Sequence, residues 1–209
     1  MMKMSRVPNW IGELHNLQTL DLTVEKLDED GVGILAELPA LINLELEFDR
    51  ALEETIAIDG TTFAILKRFE VCCEKNMPHL IFQAGAMPKL QRLSLWLNAD
   101  GWNQDKNAPL TELPALINLE LEFDRALEET IAIDGTTFTI LKRFEVCCEK
   151  NMPHLIFQAG AMPKLQRLSL WLNADGWNQD KNAPHTGIEH LLALERISVR
   201  GFSHPFFEV

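Results

Sequence analysis

Leu41-Ile42-Asn43-Leu44-Glu45-Leu46 and, 25 residues further on, Leu66-Lys67-Arg68-Phe69-Glu70-Val71 decide the fold of this chain. Both read apolar-x-x-apolar-x-apolar. The alternation in the second half is the period of a β-strand with one face buried. The same phrase begins at Leu17, Leu90, Leu116, Leu141, Leu165 and Leu194. Successive starts lie 24, 25, 24, 26, 25, 24 and 29 residues apart. One such unit cannot bury its own apolar face. Neighbours stacked at ~4.8 Å per strand build a continuous core.

A period of ~20 to 29 residues with this phrase is that of leucine-rich repeats. The expected fold is α/β: a leucine-rich-repeat solenoid of about eight repeats. Its parallel sheet lines the concave face, and irregular or short-helical returns cross the convex face. Gly31-Val32-Gly33-Ile34-Leu35-Ala36-Glu37-Leu38 and Gly187-Ile188-Glu189-His190-Leu191-Leu192 read as returns of one or two helical turns. Pro39, Pro88, Pro114 and Pro163 stand just before strands, where helix must stop. The segment 49–63, with its Asp59-Gly60 turn signal, is expected to be loop or irregular return. The ninth repeat position, usually Asn, holds Glu25, Asp49, Glu74, Asn98, Asp124, Glu149, Asn173 and Phe202. Variable turns are therefore expected there.

A longer period overlies the short one. Residues 37–109 recur at 112–184 with the single difference Ala64 against Thr139. The expected organisation is one domain over 1–209. It holds tandem copies 37–111 and 112–186 of three repeats each, then a C-terminal repeat and end segment, 187–209. Identity this high reflects duplication, natural or engineered, because solvent-facing positions would tolerate change.

The chain has 209 residues, 46% hydrophobic and 24% charged, with a formal net charge of −12. That is the balance of a folded protein. The copy 37–111 holds 7 basic and 11 acidic residues, so the acidity is one block's modest bias multiplied. It argues against general nucleic-acid binding. No apolar run is long enough to span a membrane. Met1 to Trp10 lacks the apolar core of a secretory signal. Cys72-Cys73 and Cys147-Cys148 are adjacent pairs without zinc spacing, so a reduced, cytoplasmic setting is expected. Cys72 and Cys147 should project outward, and Cys73 and Cys148 inward.

Catalytic, cofactor and metal sites are not expected. The histidines, His15, His79, His154, His185, His190 and His204, are scattered and none sits beside a nucleophile by motif. Asn98 to Asp105 offers oxygen ligands but lacks the bidentate Glu and spacing of a calcium loop, so it reads as a polar turn. Trp102 and Trp177 are expected to cover the edge of the coil.

Trp10-Ile11-Gly12-Glu13-Leu14-His15-Asn16-Leu17-Gln18-Thr19-Leu20-Asp21-Leu22 resembles the C-terminal leucine-rich repeats of plant coiled-coil nucleotide-binding disease-resistance proteins, especially those of cereals. So do Gly85-Ala86-Met87-Pro88-Lys89-Leu90-Gln91-Arg92-Leu93 and the ending Gly187 to Val199. The resemblance implies a non-enzymatic protein-recognition module with a role in defense response, through effector sensing or intramolecular autoinhibition. Its implied partner is a pathogen effector, or a nucleotide-binding receptor module missing from this chain. The sequence holds no Gly-x-x-x-x-Gly-Lys-Ser/Thr loop. An adaptor or a duplicated scaffold fragment without independent function is the alternative.

On each strand the outward positions alternate with core leucines. An exposed Trp beside Arg has the composition of an interface hot spot. The candidate protein-binding residues on the concave face are Arg68, Glu70, Arg92, Trp96, Arg143, Glu145, Arg167, Trp171 and Arg196. For Arg68 and Arg143, neutralisation of neighbouring Glu is the competing expectation. Phe202, Phe206 and Phe207 could form a small apolar cap. The N-terminus lacks a polar capping unit, so self-association through open ends is expected.

Overall fold

The computed structural model describes residues 3–52, 55–58, 63–76, 78–83, 85–97, 113–123, 130–136, 138–148, 154–173 and 185–202. It forms two compact units, 1–116 and 117–209.

In the first unit, four of the repeat phrases become strands β1 (Thr19–Leu27), β2 (Asn43–Ala51), β4 (Arg68–Asn76) and β6 (Arg92–Leu97). They pair in that order, all parallel, with Thr19, Asn43, Arg68 and Arg92 in one row. Parallel neighbours need a crossover between them, and the ~25-residue period supplies it. Inward residues Leu22, Leu44, Leu46, Phe69, Val71, Leu93 and Leu95 are buried. Two short strands form a second parallel layer, β3 (Thr55–Ile58) with β5 (His79–Phe82). Ile56 and Ile58 of β3 and Leu80 and Phe82 of β5 are buried. The unit is thus a parallel β-solenoid with its core between the two layers.

One helix, α1 (Glu29–Ala36), forms a return where a short-helical one is expected. Asp28 caps it, its Oδ1 accepting from the Gly31 N–H at 2.8 Å. Arg6 Nη1 holds the other carboxylate oxygen at 2.9 Å. Glu29 and Asp30 in the first turn complement the helix dipole. Before the first strand, a 3₁₀ turn at Asn9–Glu13 buries Ile11, and Met4 bridges to Val24.

The second unit repeats the plan. Strands β7 (Asn118–Phe123), β9 (Arg143–Cys148), β11 (Arg167–Asn173) and β13 (Arg196–Phe202) pair in parallel in that order. The second layer holds β8 (Thr130–Ile133), β10 (His154–Phe157) and β12 (His185–Thr186). A 3₁₀ turn at Ile188–His190 forms the last return. Gly187 precedes it at φ +81°, where a Cβ would lie 1.9 Å from the Phe157 carbonyl oxygen. Only glycine fits that approach. On β13 the inward-position residues Ile197 and Val199 stay 46% and 51% exposed, whereas Leu168 and Leu170 of β11 are buried. No described strand covers β13 on its far side.

Two expectations need correction. Segment 49–63 is not simply irregular: β2 runs on to Ala51, and Thr55–Ile58 is a strand. Four residues of alternation are too short to stand out in sequence, yet burying Ile56 and Ile58 against Leu80 and Phe82 fixes them. Nor do β1, β2 and β4 turn at the ninth position. Without the Asn that bonds a turning backbone, each continues through it as a nine-residue strand. The pairing of β2 with β4 shifts register between Phe48 and Arg50.

The structure also reveals one further position of the repeat pattern. The N–H of each phrase's first leucine donates to the carbonyl three residues earlier, on Leu14, Leu38, Phe63, Met87, Leu113, Phe138, Met162 and Leu191. All eight are apolar, so the repeat phrase begins three residues before its first Leu. Phe63, Met87, Phe138 and Met162 adopt φ between 41° and 57° there, a conformation costly for a residue with a Cβ. Burial of Phe63, Met87 and Met162 offsets that cost. Among the described residues no helix is long and apolar enough to cross a membrane.

Candidate functional site

The alternation that buries the leucines turns the remaining strand residues outward in straight rows, because all strands are parallel and in register. In the first unit the rows are Thr19, Asn43, Arg68, Arg92; then Asp21, Glu45, Glu70, Ser94; then Thr23, Glu47, Cys72, Trp96. Asn43 Nδ2 donates to Thr19 Oγ1 at 3.1 Å, and Thr23 Oγ1 donates to Glu47 Oε2 at 3.4 Å. Lys3 closes the acidic side, 2.7 Å from Asp49 Oδ1 and 3.5 Å from Glu47 Oε1.

Arg68 and Glu70 meet as a bidentate pair: Arg68 Nη2 donates to both carboxylate oxygens at 2.9 Å. The neutralisation expected of Arg68 therefore occurs along its own strand. Glu45, between Asp21 and Glu70, has its pKa raised, first by burial and then by the negative charges of Glu70 and Asp21. A hydrogen bond with Glu70 adds to the rise, and Arg68 opposes it.

In the second unit the rows are Asn118, Arg143, Arg167, Arg196; then Glu120, Glu145, Ser169, Ser198; then Glu122, Cys147, Trp171, Arg200. Here Glu145 does not neutralise Arg143. Its Oε1 instead accepts from the Trp171 indole N–H. Arg200 stacks on the same indole, its guanidinium carbon 4.7 Å from the ring centroid. Trp171 is thus fixed by an acceptor on β9 and a cation on β13. Arg143, Arg167 and Arg196 are exposed. Sequence spacing named these residues, but Arg200 as the partner of Trp171 was missed. The signal was present: it follows Arg196 by four residues, on the same face.

Cys73 and Cys148 are buried, as the alternation requires, and Cys72 is half-buried on the outward face. Cys147 departs from expectation. It takes an outward position but is only 8% exposed. Trp171 on β11, whose indole bonds Glu145 of the strand that holds Cys147, is the register partner of Cys147. All four cysteines lie outside any disulfide. His154 Nε2, on the second layer, is buried without a hydrogen-bond partner among the described residues. The turn 98–105, Trp102, Trp177, Phe206 and Phe207 lie outside the described residues. Among the described residues no three His, Cys, Asp or Glu gather as a metal cage.

A family model described as a leucine-rich repeat region matches residues 1–109 and 108–205. Among curated proteins, Disease resistance protein RGA5 of Oryza sativa subsp. japonica is 39% identical over 93 residues, which is 44% of this chain and 8% of that protein. Disease resistance protein Pik-1 of the same rice is 36% identical over 90 residues, 42% of this chain and 8% of its own length. The chain thus spans about 8% of the length of these relatives. No solved structure matches it.

Proposed function

Because the chain belongs to the leucine-rich repeat region family, we propose that it is a non-enzymatic protein-recognition module of a plant disease-resistance receptor. Its role is in defense, through sensing of a pathogen effector protein or through holding the receptor's nucleotide-binding module inactive. The observation that carries this reading is the outward face of the main sheets. In-register rows of Arg, Glu, Ser and Trp are held there by a buried leucine core. Within each unit such a face offers a laterally extended surface, which suits a protein partner better than a small molecule. Arg68, Glu70, Arg92 and Trp96 in the first unit are the proposed contacts. Arg143, Glu145, Arg167, Trp171 and Arg196 serve in the second. Four cysteines without a disulfide favour a reducing, cytoplasmic setting.

The test is co-precipitation of the full chain with the nucleotide-binding module of a rice disease-resistance relative, and with a panel of effector proteins. The variant is Trp96→Ala with Trp171→Ala. Loss of capture by a still-folded variant supports the outward face. Capture equal to the parent removes those residues as contacts.

A further inference from the structure

Arg143, Arg167 and Arg196 hold the same register position on three adjacent parallel strands. Strands lie ~4.8 Å apart, so three guanidinium-bearing side chains start from neighbouring rungs. Like charges placed directly opposite repel. A fold normally relieves such a row with interleaved carboxylates, as the first unit does where both carboxylate oxygens of Glu70 accept from Arg68. The second unit does not. Among the described residues, none of the three arginines forms an ion pair. The nearest outward carboxylate on β9, Glu145, is engaged by Trp171. Beyond it, the other described outward side chains of β11 and β13 are Ser169, Ser198, Trp171 and Arg200. Among the described side chains, these outward faces therefore hold three cations, two hydroxyls, an indole and no carboxylate.

Resting on the recognition reading above, we propose that this arginine row docks an acidic segment of the partner protein. Carboxylates recur at ~5–6 Å along one helix face or ~7 Å along an extended chain, and flexible arginine stems span either spacing. Each guanidinium presents a fork that matches a carboxylate. Trp171, pinned by Glu145 and Arg200, supplies a fixed apolar flank for a neighbouring side chain. A nucleic acid is the weaker fit. It needs a long run of cations, and the chain's net charge of −12 repels a polyanion at range. A short acidic segment needs only the local match.

The probe is a fluorescein-labelled peptide of alternating Glu and Ala, titrated against the full chain by anisotropy. A Lys–Ala peptide and a single-stranded thymidine oligonucleotide are run alongside. The Glu–Ala peptide should bind and the Lys–Ala peptide should not. Arg167→Gln with Arg196→Gln should weaken binding about tenfold or more. Lys89→Gln, an exposed cation on a first-unit return, should leave it unchanged. The double variant should melt no lower than the parent, since it removes repulsion. Absence of peptide binding, binding equal in the double variant, or tighter binding of the oligonucleotide overturns the proposal. If partner capture persists while the peptide test fails, this inference falls and the recognition reading stands.

Discussion

Arg200 stacks on Trp171, its guanidinium carbon 4.7 Å from the ring centroid, so the last strand secures the one before it through an outward contact. Both side chains stand opposite each other in register on β13 and β11. A pair of this kind is worth about 0.5–1 kcal/mol where exposed. A double-mutant cycle of Trp171→Ala and Arg200→Gln, read by urea denaturation, should show a coupling of about that size. Additive effects of the two changes would refute it.

Two glycines of the second unit share φ +81° but differ in their surroundings. At Gly187 a Cβ meets the Phe157 carbonyl oxygen at 1.9 Å; at Gly160 the nearest heavy atom is 3.7 Å away. Gly160→Ala should cost about 1 kcal/mol, the penalty of the left-handed backbone alone. Gly187→Ala should cost at least about 3 kcal/mol, because the carbonyl cannot yield as a flexible side chain would. Thermal melts of the two variants check the order; equal midpoints would contradict it.

Asp28 does two jobs, accepting from the Gly31 N–H and from Arg6. Asp28→Ala should destabilise the first unit by about 1–2 kcal/mol, and Asp28→Asn by clearly less, since Asn also caps. Arg6→Gln should cost under about 1 kcal/mol, because that arginine is largely solvent-exposed. Denaturation midpoints of the three variants give the comparison.

Glu45 binds its proton more tightly folded than unfolded, because burial and the charges of Glu70 and Asp21 disfavour its ionised form. Its ionisation therefore opposes folding above the folded-state pKa. That opposition fades as pH falls through the raised value toward the ordinary carboxylate range. Glu45→Gln should raise stability at neutral pH by about a few tenths of a kcal/mol, a small figure because solvent screens the site. It should also flatten the mildly acidic limb of the stability profile. A variant whose melting point tracks the parent at every pH would exclude this role.

Ile197 and Val199 occupy core positions on β13 yet remain 46% and 51% exposed. We propose that this exposed apolar surface drives self-association of the chain. Sedimentation velocity of the full chain should show concentration-dependent association, and Ile197→Lys with Val199→Lys should shift it toward monomer. A sharp monomer boundary for the parent at high concentration would count against the idea.

Eight repeat phrases are enough to place the main strands, their parallel order and the outward or inward sense of each residue. Alternation is local, and a one-residue slip would expose every leucine at once. The rows containing Arg92, Trp96, Arg167 and Trp171 follow directly from it. What alternation cannot state is the choice of partner within a row. Glu145 stands two residues from Arg143, as Glu70 does from Arg68, in sequences otherwise the same. Yet Glu70 takes the arginine and Glu145 takes the Trp171 indole. On β13, Arg200 follows Trp171 in the same row and holds the indole from its other side. Tertiary structure likewise decided that Cys147 is covered and that Thr55–Ile58 is a strand. In each case the deciding neighbour lies a full repeat away along the chain. Sequence therefore determined the frame, whose driving force is burial repeated at a fixed period. The side-chain pairings on that frame were settled only by which charges and rings the stacked strands brought together.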